Sequence, residues 1–282
     1  MKTRVITGAV LVVGIIIFIC FYNTFFANIV IAALALMGIW EAHHAAGLVK
    51  DNRFVTVICM LYGAVLILVP QAYRGAAAAA GLYVLVLLVF AYTLKHHKTY
   101  TVREAAYELL LGVLIPLSFS LIIVIRDRFG AGNGVFYFCL ILGSAWLSDT
   151  GAYFAGTLFG KHKLCPEVSP KKTVEGLIGG IVIAVLGNLA IGKIITVLSA
   201  KGFGYLSGSV SLNWWALAGV TVVFSLIGVL GDLSFSIIKR CYGIKDYSNL
   251  LPGHGGILDR FDSVLFIIPA VYFAAVFIPL IH

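Results

Sequence analysis

Apolar runs of about twenty residues, the length an α-helix needs to cross roughly 30 Å of hydrocarbon, recur along this chain with few charges inside them. A soluble core is not built this way, because a half-buried helix or strand alternates apolar and polar residues at its own period. A membrane barrel would show repeated alternating segments of about ten residues, and none recur. With 61% of residues hydrophobic and 11% charged, the sequence predicts an all-α polytopic membrane protein. Nine transmembrane helices are read at roughly 5–22, 25–39, 54–69, 76–94, 107–125, 135–154, 176–198, 212–238 and 263–281. The first is too long for a secretory signal, and Phe25-Phe26-Ala27 lacks a small-x-small cleavage site, so it is expected to stay in place.

Lysine and arginine test that count. Nine spans put Lys2, Arg4, Lys50, Arg53, Lys95, Lys98, Arg103, Lys161, Lys163, Lys171, Lys172, Lys239, Arg240, Lys245 and Arg260 on one side, fifteen of the twenty. Arg74, Arg126, Arg128 and Lys201 fall on the other, with Lys193 inside the seventh span near that end. The asymmetry predicts a cytoplasmic N-terminus and an exported C-terminus. The net charge of +8 is then mostly orientation beside anionic lipid. No soluble basic domain is present to bind nucleic acid.

Five cysteines (Cys20, Cys59, Cys139, Cys165 and Cys241) are scattered without a CxxC, which suggests neither disulfides nor zinc. The first half, 1–130, reads as about five chemically quiet spans. The His43-His44 and His96-His97 pairs and Glu108 are expected at the membrane interface. The second half, 131–282, reads as the catalytic region, with charged cytoplasmic loops at 155–175 and 239–262. The Gly/Ser-rich stretch 201–213 is an exported connector. The segment from Gly156 to Lys161 is no Walker A loop: three residues separate its glycines and no Ser or Thr follows the lysine.

Two carboxylates carry the chemical signal. Asp149 and Asp232 lie late in spans that run toward the cytoplasm. A charged aspartate at mid-helix costs about 2.5–3.5 kcal/mol on insertion scales, so such residues face polar cavities and carry function. Asp232, Ser236, Lys239 and Arg240 follow at three- and four-residue steps and are expected on one helix face. Asp259 and Asp262, three apart, share a face at the start of the last span, where the helix dipole favours carboxylates. Oxygen ligands without a Cys/His set suit Mg²⁺ or Mn²⁺ rather than zinc, and Mg²⁺ is usually held by one or two carboxylates plus substrate phosphates. Pro252, Gly253, Gly255 and Gly256 around His254 supply the close backbone approach that a phosphate or metal requires. Lys171 and Lys172, within Ser169-Pro170-Lys171-Lys172-Thr173, read as a phosphate-contacting turn. Together these predict phosphoryl or nucleotidyl transfer at a membrane surface.

The spacing Ser236-x-x-Lys239-Arg240, then Lys245-Asp246, Pro252-Gly253-His254-Gly255-Gly256 and Asp259-Arg260-x-Asp262 resembles the signature of the phosphatidate cytidylyltransferases (CDP-diacylglycerol synthases). The stretches 148–154 and 169–176 are also similar to that family, and the likeness is specific over about 143–265. The resemblance implies that CTP and phosphatidic acid give CDP-diacylglycerol and pyrophosphate, at the cytoplasmic face of a bacterial inner membrane. It implies a divalent ion, Mg²⁺, on Asp232 and Asp259, with Asp246 or Asp262 helping or filling a second cation site. Lys239, Arg240, Lys245 and Arg260 would take phosphates, with Asp149, Lys171, Lys172, Ser236, Gly255 and Gly256 around CTP or the lipid phosphate. His254 would orient the pyrophosphate, and a homodimer is suggested. The nearest alternative is a CTP-dependent transferase or kinase acting on a prenyl or ether lipid. An ion-coupled transporter would show inverted repeats with broken helices, and none is found; a CDP-alcohol phosphotransferase run is also absent.

Overall fold

A computed structural model of the protein describes residues 2–51, 53–202, 211–253 and 255–281; His254 and most of the 201–213 connector lie outside them. Among the described residues the regular structure is helical apart from one hairpin. Its helices are α1 (Lys2–Cys20), α2 (Phe25–Ala45), the single turn α3 (Leu48–Asp51), α4 (Arg53–Leu68), α5 (Gln71–Lys95), α6 (Val102–Phe129) and α7 (Ala131–Leu142). A π-helical segment (Gly143–Leu147) runs into α8 (Ser148–Phe159). The strands β1 (Lys163–Cys165) and β2 (Ser169–Thr173) pair antiparallel, and α9 (Val174–Ala200), α10 (Trp214–Cys241) and α11 (Leu258–Phe277) complete the order. Among the described residues seven helical stretches are long and apolar enough to cross a membrane, and two shorter apolar helices occur at Thr7–Cys20 and Arg53–Leu68. This is an all-α polytopic membrane protein.

The chain divides into two compact units. The first takes the chain to Val124 together with Tyr242–Phe261, and the second takes Ile125–Cys241 with the chain from Asp262 onward.

In the first unit, glycines let helices approach closely, as membrane packing requires in the absence of a hydrophobic drive between helices. A Cβ on Gly63 would lie 3.0 Å from Pro116, and one on Gly38 would lie 3.2 Å from Leu258 and 3.3 Å from Ile115. The interior is not purely apolar. His43 and Glu108, expected at the interface, are both fully buried. The His43 ring nitrogens lie 3.1 Å from Thr56 Oγ1 and 3.3 Å from the Glu108 carbonyl oxygen. Thr56 and Tyr100 donate to the Glu108 carboxylate at 3.3 and 2.5 Å. Buried polar groups persist where they satisfy one another, and these four residues do. His44 instead stacks on Trp40, with ring centroids 4.7 Å apart.

The second unit is organised by backbone contact between α8 and α9. Gly176 and Gly180 are four apart on one face of α9, a spacing that admits close helix approach. Cβ atoms there would lie 2.8 Å from the Ala152 carbonyl oxygen and 2.6 Å from that of Ser148. Across the interface, a Cβ on Gly151 would lie 2.7 Å from Ile183. The π-helical segment widens the backbone beside α9, where buried Asn188 donates to Ser144 at 3.0 Å. The same device joins α10 to α11. A Cβ on Gly228 would lie 2.8 Å from Ile267, and one on Gly231 would lie 2.9 Å from the Asp262 carbonyl oxygen and 3.0 Å from Phe266.

Candidate active site

In the second unit, the hairpin between α8 and α9 is tied down by α9 itself. Thr173 is the N-cap, its Oγ1 accepting the Gly176 amide at 3.1 Å. Such a cap satisfies one of the orphan donors of the first turn. Glu175, in the first turn of α9, accepts the Lys161 amide at 3.1 Å and the His162 ring nitrogen at 2.6 Å. The His162 carbonyl in turn accepts the Val174 amide at 2.9 Å. The stretch read as a phosphate-contacting turn is therefore strand β2, held rigidly against the start of a helix.

β2 carries Lys171 and Lys172 into a pocket of ≈ 250 Å³ whose lining includes Asp149, Tyr153, Ser169 and Gly176. Lys172 Nζ forms an ion pair with Asp232 Oδ2 of α10. The ammonium nitrogen is buried and has no hydrogen-bond acceptor besides that carboxylate among the described residues. An ammonium has three donors, so the remainder suits an incoming anion. Asp262 is buried, with Asp232, Lys239 and Asp149 as the charged groups acting on its carboxylate. Lys239, two turns beyond Asp232 on α10, is buried as well. Gly231 permits this convergence, because a side chain there would strike the backbone at Asp262.

Three carboxyl groups, Asp149, Asp232 and Asp262, beside the ammonium groups of Lys171, Lys172 and Lys239 line this cluster with hard oxygen donors. That chemistry fits a divalent cation of the Mg²⁺ type, which needs few protein carboxylates when phosphates and water complete its shell. Among the described residues no three His, Cys, Asp or Glu side chains enclose an ion unaided. The donors therefore fit an ion shared with a substrate. A larger pocket of ≈ 570 Å³, lined by Phe154, Leu158, Ile178, Val182 and Ile183 on the other faces of α8 and α9, is apolar and lacks the lysines.

In the first unit lies the loop that follows α10. Lys245 and Asp246 are exposed, Tyr247 is buried, and Arg260 is exposed. Two carboxylates lace this loop together. Asp259 Oδ2 accepts the amides of Tyr247 at 2.8 Å and Gly256 at 2.9 Å. Glu41, at the end of α2 and fully buried, accepts Ser248 Oγ at 2.6 Å and the Ile257 and Leu258 amides at 2.9 and 2.8 Å. Leu251 and Gly255 close the turn between them, the Leu251 amide donating to the Gly255 carbonyl at 2.8 Å. Gly253 and Gly255 have φ of 79° and 83°, where a side chain is strained. The space beside Gly256 is filled by the Glu41 carboxylate, 2.6 Å from where a Cβ would stand.

Of the site residues read from sequence, Asp149, Lys171, Lys172, Asp232, Ser236, Lys239, Arg240 and Asp262 lie in the second unit, and Lys245, Asp246, Gly255, Gly256, Asp259 and Arg260 in the first. Of the second-unit set only Lys239 and Asp262 are buried; Lys172, Asp232 and Ser236 are half-buried, and Asp149, Lys171 and Arg240 are exposed. Glu41 was legible only as a charge at the end of a span. Its partners lie 207 to 217 positions away, and no local pattern points to them.

The profile of the cytidylyltransferase family matches residues 2–278. The phosphatidate cytidylyltransferase of Bacillus subtilis (strain 168) is 36% identical over 283 residues, covering 97% of each chain. That of Staphylococcus aureus (strain COL) is 35% identical over 222 residues, 77% of this chain and 78% of its own. That of Staphylococcus epidermidis (strain ATCC 12228 / FDA PCI 1200) is 38% identical over 189 residues, 67% of this chain and 66% of its own.

Proposed function

The chain belongs to the cytidylyltransferase family, and on that premise we propose that it is a phosphatidate cytidylyltransferase, a nucleotidyltransferase of phospholipid biosynthesis. CTP and phosphatidic acid give CDP-diacylglycerol and pyrophosphate. The observation that carries this reading is the half-buried Lys172–Asp232 pair beside the buried Asp262 and Lys239, with Lys171 and Asp149 lining the adjoining pocket.

The nucleophile is a phosphate oxygen of the lipid, already anionic, so no strong general base is required. It forms a bond to the α-phosphorus of CTP as the bond from that phosphorus to the α–β bridging oxygen breaks. Pyrophosphate leaves with the electron pair. What the protein must supply is charge balance and alignment. Lys172, with donors to spare, and Lys171 beside it bind phosphate oxygens. Lys239, buried next to Asp262, holds the carboxylates in place and offsets their repulsion. A divalent cation, Mg²⁺ by donor type, would be held by Asp232 and Asp262 with Asp149 nearby, and supplies screening of the triphosphate charge. Asp259 and Asp246 are further candidate ligands from the spacing of the signature. The exposed Lys245 and Arg260 carry its remaining phosphate-binding charge.

Nine spans with the N-terminus cytoplasmic place the charged loops at the cytoplasmic surface. That reading is supported by the fifteen-to-five distribution of basic residues and by two shorter apolar helices besides the seven long ones. The deciding experiment incubates purified protein with labelled CTP and either phosphatidic acid or a prenyl phosphate, with and without Mg²⁺. Labelled CDP-diacylglycerol formed only with phosphatidate and Mg²⁺ is expected. Transfer to the prenyl lipid alone, or no CDP-lipid at all, overturns the assignment.

A further inference from the structure

We propose that Glu41 is a positioning residue for this reaction, acting as an N-terminal cap donated by a distant helix. The proposal rests on the cytidylyltransferase reading. Every α-helix begins with amides that have no intrahelical acceptor, and a carboxylate is the strongest cap for them because it also meets the positive end of the helix dipole. The residue that would ordinarily cap α11 from its own chain is Ile257, which has no side-chain acceptor. Glu41 fills that place from α2. One carboxylate oxygen accepts the Ile257 amide and Ser248 Oγ, and the other accepts the Leu258 amide.

The cap does more than end a helix. Ser248 and Leu258 bracket the signature turn, so one carboxylate pins both its arms. Asp259, the first acidic residue of α11, then ties Tyr247 and Gly256 to the same turn. A Cβ at Gly256 would lie 2.6–2.8 Å from the Glu41 carboxylate atoms, so this glycine is the space into which the cap fits. Glu41 is itself fully buried, and a buried carboxylate is tolerated only when charge-assisted hydrogen bonds replace its water. The three donors do so. The task of Glu41 is to fix the residues that follow in the same unit, Asp259 and Arg260.

Glu41→Gln tests this with little change in volume. The amide keeps one acceptor oxygen and turns an NH₂ toward amides that already donate. Full-length protein is purified, kcat and KM for CTP are measured with phosphatidate, and backbone hydrogen exchange is followed by peptide. The expected result is a kcat lower by about 10–100-fold, a KM near wild type, and faster exchange confined to peptides covering 247–262. Ser248→Ala, a milder change that removes one donor, is expected to give a smaller loss that does not add to that of Glu41→Gln. Normal kcat in Glu41→Gln overturns the proposal. So does faster exchange throughout the protein with a lowered melting temperature, which marks a merely structural residue. Wild-type protein that makes no CDP-lipid overturns the cytidylyltransferase reading instead, while the exchange measurement still reports on the cap.

Discussion

Lys172 of strand β2 and Asp232 of helix α10 form an ion pair in the second unit, joining the two segments whose sequences looked most like phosphate chemistry. Removing one partner of this half-buried pair leaves the other without its counter-charge, so the two side chains report on different things when changed one at a time.

Asp232→Asn and Asp262→Asn each remove a carboxylate while keeping the shape. Each is expected to lower kcat/KM for CTP-dependent CDP-lipid formation by at least about 100-fold, with membrane insertion unchanged on carbonate extraction. Near-normal turnover in either variant would remove that residue from the set of candidate metal ligands.

Lys172→Ala is expected to raise KM for a phosphate-bearing substrate by roughly 10–100-fold, the worth of a charge-assisted hydrogen bond. Lys172→Arg restores the charge but not the compact geometry and should recover only part of the affinity. Steady-state kinetics with CTP and phosphatidate varied in turn decides it. Unchanged KM for both substrates is the contrary outcome.

Asp259→Asn separates two tasks for one side chain. An asparagine oxygen can still accept the Tyr247 and Gly256 amides that Asp259 now holds. Loop exchange should therefore stay close to wild type, while activity falls about 100-fold or more if the carboxylate is also a ligand. Activity that survives intact would confine Asp259 to the loop.

Gly231→Ala places a Cβ 2.9 Å from the Asp262 carbonyl oxygen. It is expected to cost about 1–3 kcal/mol by overpacking and to depress activity. Gly219→Ala, on the same helix with nothing within 4 Å, should be neutral or slightly stabilising. Thermal unfolding of the two variants in detergent, run side by side, makes the comparison; equal melting temperatures would contradict the packing assignment.

Lys193→Ala is the silent control. Lys193 is exposed on α9, far along the helix from the Gly176 end that lines the pocket. Stability should change by no more than about 0.5 kcal/mol and activity should be preserved in the labelled-CTP assay. A large loss would mean that the site lies elsewhere.

Much of the candidate site was legible because its determinants are local. Asp232 and Lys239 are seven residues apart, two helical turns, and both act on the Asp262 carboxylate. Arg240 was grouped with them by spacing, yet eight residues at 3.6 per turn land about 80° off that face, and the side chain is exposed. The interfacial reading of His43 and Glu108 did not reveal their burial, for a related reason. Their position near helix ends marks depth along the chain, whereas burial depends on whether a neighbour such as Thr56 or Tyr100 stands ready to bond them.

By itself the sequence determined the membrane class, the apolar helical character, the asymmetry of basic residues and the stretches in which acids, lysines and glycines concentrate. Run length, periodicity and charge order are all properties of neighbours in the chain. Tertiary structure alone decided that β2 delivers Lys172 to Asp232, that Gly231 lets α10 meet the backbone of Asp262, and that Glu41 caps α11 from 217 positions away. Each depends on which backbone surfaces are bare enough to touch. A glycine or a buried carboxylate announces that some contact exists, and only the packed helices say with whom.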